Sequence, residues 1–260
     1  MAREFEGRTA LVTGASKNMG RAIALSFAER GGNVGIVVKS SREEAEKVAE
    51  EARAFGVKAA VATGDIGVYA DCERMVGEVG GTLGPIDTLV NNAALRPREA
   101  FMDITVEKWN TIISSNLSSV FYLSRLVLPG MAERGFGRII SIGGPDGVRG
   151  MALRAHNVTA KSGLIGLTKA MAVEFGDKGV TANVVVPGVM NTVHDNKEDY
   201  PEIHRIIAAL PEYHKRSEIA VPRPGESQEV ADAVMFFASE KAGYMTSQTL
   251  YVAGGLFGLP

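Results

Sequence analysis

Short apolar runs alternate along the chain with longer stretches whose apolar residues recur at helical spacing. Thr9–Thr13 reads as a strand, followed by a Gly-bearing turn and a helix from Gly20 to Arg30. Asn33–Val38 is a second strand. Ser41-Arg42-Glu43-Glu44 has the form of a capping box. Behind it Ala45, Val48, Ala49, Ala52 and Phe55 share one helix face, with Gly56 as the stop. Ala59–Thr63 is a third strand and Asp71–Val79 a helix; Ile86–Val90 is a fourth strand. Val106–Leu128 reads as one long helix closed by Pro129-Gly130. Arg138–Ile142 is a fifth strand, His156–Phe175 a helix and Thr181–Val186 a sixth strand. Glu229–Ala238 is a helix capped by Ser227, and Thr249–Val252 a last strand.

This alternation implies an α/β fold: one Rossmann-like, doubly wound parallel sheet with helices on both faces, in a single domain over residues 1–260. The alternation breaks at Val189–Glu226, 38 residues of mixed character after the sixth strand. Long loops of this kind are usually functional. This one leaves the carboxyl end of a strand, where open α/β sheets bind ligands, and reads as a substrate-side lid.

Composition narrows the function. The formal net charge is −2, which argues against a general nucleic-acid binder or a polybasic membrane-surface protein. Hydrophobic residues make up 45% and charged residues 22%, the profile of a soluble globular chain. Cys72 is the only cysteine, so an internal disulfide and a Cys-based zinc site are excluded, which fits a reducing cytosol. No apolar run approaches the ~20 residues of a membrane span, and the start has no signal-peptide core. The expectation is a cytoplasmic protein acting on a small molecule, with no metal, nucleic acid or membrane as partner.

Thr13-Gly14-Ala15-Ser16-Lys17-Asn18-Met19-Gly20 leaves the first strand and opens the first helix. Unsatisfied N–H groups and the dipole of a helix start favour an anion, and small residues let a pyrophosphate come close. With Asp65 after the third strand, Asn91-Asn92-Ala93-Ala94 after the fourth, Asn116 in the long helix, Lys161, and Pro187-Gly188 after the sixth strand, the chain resembles the short-chain dehydrogenase/reductase family over essentially its full length. The family's turn is usually Thr-Gly-x-x-x-Gly-x-Gly. Here Asn18 stands at the middle Gly, a residue that tolerates the left-handed backbone region better than most.

An NAD site usually carries an acid about 20 residues after the turn. That place holds Lys39-Ser40-Ser41-Arg42, and Lys17 sits in the turn itself. Cations and hydroxyls suit a 2′-phosphate, so NADP(H) is the expected cofactor. The resemblance implies that Gly14, Ser16, Lys17, Asn18, Met19 and Gly20 hold the pyrophosphate side, with Lys39, Ser40 and Arg42 at the 2′-phosphate. It implies Asp65 and Ile66 at the adenine, Asn92 and Ala93 by the adjacent ribose, Lys161 on the nicotinamide ribose, and Pro187, Gly188 and Thr192 beyond it.

The chemical end departs from the family pattern. There a Tyr exchanges the proton, a Lys four residues later lowers the Tyr pKa, a Ser holds the substrate oxygen and an Asn completes the proton path. Four residues before Lys161 stands Asn157, and the Ser position, thirteen residues further back, is Gly144. Asn has no titratable proton, so it serves only as a hydrogen-bonding group. Asn116 and Lys161 remain. Other groups near this end are His156, about 100° round the helix from Asn157 and read as partly exposed; Arg154, a possible anion binder or surface charge; and Asp146, in the loop bordering the substrate. Ser141 lies inside the fifth strand, pointing away. The lid carries His194, Asp195, Tyr200, His204, Tyr213 and His214, of which one His or Tyr could replace the lost acid, and Ile203, Ile206, Ile207 and Leu210 at helical spacing.

The sequence thus points to an NADP(H)-dependent oxidoreductase acting on a small carbonyl or alcohol with a non-standard proton donor, with Asn116, Asn157, Lys161, His156 and Asp146 as the catalytic candidates. Two alternatives stay open: a non-redox lyase, isomerase or hydrolase on the same pocket, and a non-catalytic NADP(H)-binding protein. The resemblance also implies a homotetramer, with the helices bearing Asn116 and Lys161 as interfaces and the apolar stretch Leu250–Pro260 as a further candidate.

Overall fold

The computed structural model describes residues 3–192 and 220–256. Strands β1 (Thr9–Thr13), β2 (Asn33–Val38), β3 (Ala59–Thr63), β4 (Thr88–Asn91), β5 (Gly137–Ile142), β6 (Val180–Pro187) and β7 (Thr249–Val252) form one sheet in the order β3-β2-β1-β4-β5-β6-β7. Every pairing is parallel. The central strands β1, β4, β5 and β6 are buried along their whole length, which is why they read as short continuous runs rather than as alternating ones.

Alternate residues of each strand feed opposite layers. On one face Ala10, Val12, Ile140 and Ile142 pack with Ile23 and Phe27 of α1 (Asn18–Glu29), Val48 of α2 (Arg42–Arg53) and Val234 of the C-terminal helix. On the other, Leu11, Leu89 and Ile139 pack with Met75 of α3 (Tyr69–Leu83), Leu123 of α5 (Ser119–Glu133) and Met171 of α6 (Ala155–Phe175). The fold is therefore the doubly wound α/β sheet expected. Strand order reverses between β1 and β4, which opens a crevice at the carboxyl ends of these strands.

The expected long helix is three pieces. α4 (Val106–Ile113) leads into a π-helical turn, Ser114–Ser118, and then into α5. Pro129-Gly130 does not close α5, which continues to Glu133. An internal Pro costs roughly 3 kcal/mol, but Val127, Leu128 and Met131 are buried around it. Side chains of that kind gain about 1.5–3 kcal/mol each on burial, enough to carry the helix through.

Two caps also differ. Ser41 precedes α2 but makes no side-chain cap bond, and Phe55, grouped with the buried face, is 44% exposed beyond the helix end. The C-terminal helix, α7 (Ser227–Ala238), is capped one residue earlier than expected. Glu226 is the cap, and its N–H donates to Glu229 Oε2 at 2.8 Å.

The ends of the 189–226 segment meet: Met190 bridges Gly225, and Asn191 N donates to Gly225 O at 2.8 Å. His194, Asp195, Tyr200, His204, Tyr213, His214 and the 203–210 apolar set lie outside the described residues, as do residues 257–260 of the C-terminal stretch. Among the described residues no helix is long and apolar enough to cross a membrane.

Candidate active site

At the crevice the turn after β1 is locked from the neighbouring strand. Thr13 Oγ1 accepts from the N–H groups of Asn92 and Ala93, both at 3.0 Å. Asn92 Nδ2 donates back to Thr13 O at 2.9 Å and Gly14 O at 3.1 Å. Asn92 thus positions the turn, a role not visible in its sequence setting. Gly14 has φ +65° and Asn18 φ +50°, the left-handed conformation for which Asn can replace Gly. Gly20 permits the closest approach: a Cβ there would lie 2.3 Å from Gly14 O. The result is a cradle of small residues at the start of α1, which suits a dinucleotide pyrophosphate.

The cradle opens one end of a cleft of about 560 Å³. Of the residues expected to hold a cofactor, Gly14, Ser16, Lys17, Asn18, Met19, Gly20, Lys39, Ser40, Asp65, Ile66, Asn92, Ala93, Lys161 and Pro187 line it. Three do not. Arg42 sits at the start of α2, within 3.7 Å of Glu46. Gly188 N donates to Val252 O at 2.9 Å, beside β7. Thr192 lies beyond it. Across the β2–β3 end Lys39 Nζ donates to Asp65 Oδ2 at 2.6 Å, and this bond holds the Asp65 carboxyl below its ordinary range.

At the other end Lys161, on α6, reaches the cleft beside Ile142, Gly143 and Pro187. Its Nζ donates to Ile142 O at 2.6 Å. The side chain is buried, and desolvation together with the Arg96 charge pushes its pKa down to about 7, while Asp146 acts in the opposite direction.

The other catalytic candidates sit behind the cleft wall rather than on it. Asn116 falls in the π-helical turn and is pinned on the loop after β4: its Oδ1 accepts from Leu95 N at 2.9 Å and its Nδ2 donates to Leu95 O at 2.6 Å. Asn157, wholly buried, has two amide orientations. In one, Oδ1 accepts from Asn116 Nδ2 at 2.8 Å. In the other, its nitrogen donates to Leu95 O and its oxygen accepts from Arg154 Nη1, each at 3.3 Å. Both turn the amide onto protein and away from the cleft.

His156 is wholly buried, not partly exposed. Its Nδ1 accepts from Asn157 N at 2.8 Å, and its Nε2 lies 3.9 Å from Glu99 Oε2. Burial holds its pKa below the ordinary value, against the pull of Glu99. Packing of the first turn of α6 against the loop after β4 accounts for this; helical spacing alone is blind to it. Arg154 is likewise buried, and its Nη1 donates to Arg96 O at 2.9 Å. Asp146 is buried in a short turn after β5 (Pro145–Gly147), and Ser141 is buried beside Asn91. Sequence reasoning missed Arg96, Ser114 and Ser115, which also line the cleft. The two serines are presented by the π-helical turn, a feature without a reliable sequence signal and frequent at functional sites.

A family model described as enoyl-(acyl carrier protein) reductase matches residues 14–257. Nodulation protein G of Azospirillum brasilense is 39% identical over 251 residues, 96% of this chain and 98% of that protein. The 3-oxoacyl-(acyl-carrier-protein) reductase of Escherichia coli K12 is 38% identical over 253 residues, 97% of this chain and 98% of the relative. Among solved structures, one assigned as a short-chain alcohol dehydrogenase from Sinorhizobium meliloti superposes with a TM-score of 0.91 at 26% identity, covering 100% of both chains. Another, assigned as an NAD(P)-dependent gluconate 5-dehydrogenase from Beutenbergia cavernae with NADP at low occupancy, gives 0.88 at 27% identity, also covering 100% of both. The chain belongs to the short-chain dehydrogenase/reductase family.

Proposed function

We propose that the chain is an NADP(H)-dependent oxidoreductase that interconverts a small carbonyl compound and its alcohol, without the tyrosine and serine of the family pattern. One observation carries the reading: a single cleft joins the small-residue cradle at the start of α1 to the buried Lys161. In this reading Gly14, Ser16, Asn18 and Gly20 hold the pyrophosphate, Lys39 and Ser40 the 2′-phosphate, and Lys161 the nicotinamide ribose. A bound nicotinamide supplies or accepts the hydride. Asn157 and Gly144 stand where the family pattern has its hydroxyls, so the proton must move by another group. The names of the relatives make 3-oxoacyl thioesters the first carbonyl class to try. The 189–226 segment serves as the substrate-side lid and the assembly is a homotetramer, both by family resemblance.

The cofactor preference follows from charge. Lys39 and Asp65 are 66% and 36% exposed, so their ion pair is worth about 0–1 kcal/mol and exchanges readily. A charge-assisted hydrogen bond to phosphate is worth about 1.5–3 kcal/mol. NADPH should therefore bind about tenfold tighter than NADH, or better, in calorimetric titrations. Lys39→Asp should remove or invert that preference. Equal or tighter binding of NADH by the unmodified protein contradicts it.

A further inference from the structure

Resting on the oxidoreductase reading above, we propose that Lys161 itself is the general acid and base: its Nζ gives the proton to the substrate oxygen in reduction and takes it back in oxidation.

Among the described residues, the titratable side chains lining the cleft are Lys17, Lys39, Asp65, Arg96 and Lys161. Lys39 and Asp65 belong to the β2–β3 end, and Lys17 to the turn after β1. Only Arg96 and Lys161 stand at the β4–β6 end, and a guanidinium does not release its proton in this pH range. The residue one helical turn before Lys161 is Asn157, short, wholly buried and held on Asn116, Leu95 and Arg154. Gly144 adds no side chain, and a Cβ there would meet nothing within 4 Å. No protein hydroxyl from either position intervenes between the ammonium and the cleft. One of its three N–H donors is taken by Ile142 O, which aims the group.

The charged surroundings set the working range. Arg96 faces Lys161 from the loop after β4, and Asp146 from the turn after β5. Arg154, just before α6, and His156, in its first turn, lie one to two turns earlier, with Glu99 beside His156. Burial and Arg96 outweigh Asp146 and leave the lysine near neutrality, where a general acid and base is most effective. In reduction an N–H bond of Lys161 breaks and an O–H bond forms on the substrate. The hydride for the carbonyl carbon is that of the reduced nicotinamide dinucleotide. Lys161 is left as a neutral amine and regains its proton from water.

Two measurements test this. Trace acetylation of the protein without cofactor, read residue by residue by mass spectrometry across pH, should show Lys161 reactivity rising through a midpoint near 7. A midpoint at the ordinary lysine value of about 10.4 overturns the proposal. With NADPH and a reducible carbonyl, the rate should fall as pH rises through the same range, because the acid form is lost. Lys161→Arg keeps the charge but not the transferable proton. It should lower kcat by about 10²–10⁴-fold, with a smaller change in KM, and remove that inflection. Retention of both rate and inflection overturns the proposal and moves the donor to residues 193–219. If the unmodified protein reduces no carbonyl at all, the oxidoreductase reading fails, and Lys161 as acid falls with it.

Discussion

Gly144→Ser combined with Asn157→Tyr should raise NADPH-dependent reduction of simple activated ketones by about 10²–10⁴-fold, the contribution of a well-placed general acid. Position 144 accepts the change readily. Its φ of 171° is extended backbone open to any residue, and the space beyond a Cβ is empty within 4 Å. At position 157 the pocket formed by Asn116 and Leu95 holds an amide, not a phenol ring. The expectation is that a tyrosine there turns into the cleft instead, one helical turn from Lys161, whose charge lowers a phenol pKa. Simple ketones that do not reach Lys161 gain a donor. The native substrate, whose oxygen must reach the lysine, loses access, so its conversion should fall in the same variant. A double variant that folds and binds NADPH yet gains no ketone reduction would show that the pocket has diverged beyond the missing hydroxyls, with 189–226 the next place to look.

Gly20→Ala should weaken cofactor binding by about 10–100-fold and destabilise the fold. The added methyl would lie 2.3 Å from Gly14 O and 2.6 Å from Asn92 Nδ2. Neither neighbour can yield cheaply: one is backbone, and the other is the amide that donates to Thr13 O and Gly14 O. Overpacking of this kind costs about 1–3 kcal/mol. Relieving it opens the turn on which the cradle depends, and each 1.4 kcal/mol lost there weakens NADPH about tenfold. Gly144→Ala is the stability control, expected to stay within about 0.5 kcal/mol of the unmodified protein. Denaturant titration and calorimetry read the two effects. Unchanged stability and NADPH affinity in Gly20→Ala would refute the assignment of the cradle.

The doubly wound sheet was legible because each strand is a short run rich in apolar residues and each helix carries its own periodicity. Asn18 was also legible: only a few residue types accept φ near +50°, and Asn is one of them. What escaped depends on neighbours distant in sequence. Pro129 reads as a stop until the burial of Val127 and Met131 is weighed against it. Ser41 and Ser227 both look like caps, but the Ser41 side chain makes no cap bond and Glu226 takes the role beside Ser227. His156 and Arg154 look like surface groups because helical spacing ignores the loop that covers them. The same spacing puts Lys161 on α6, where it lines the cleft, but could not report that burial strips it of much of its basicity.

In the proposed reading this cleft runs a net redox reaction. Its most direct test is stoichiometry: purified protein is mixed with NADPH and a panel of carbonyl compounds that includes 3-oxoacyl thioesters, and cofactor oxidised is compared with alcohol formed. One NADPH consumed per alcohol, for at least one carbonyl, is the expected result. Product formed without net change in NADPH would contradict it in favour of a lyase, isomerase or hydrolase on the same pocket, and tight NADPH binding with no conversion of any compound would contradict it in favour of a binding protein.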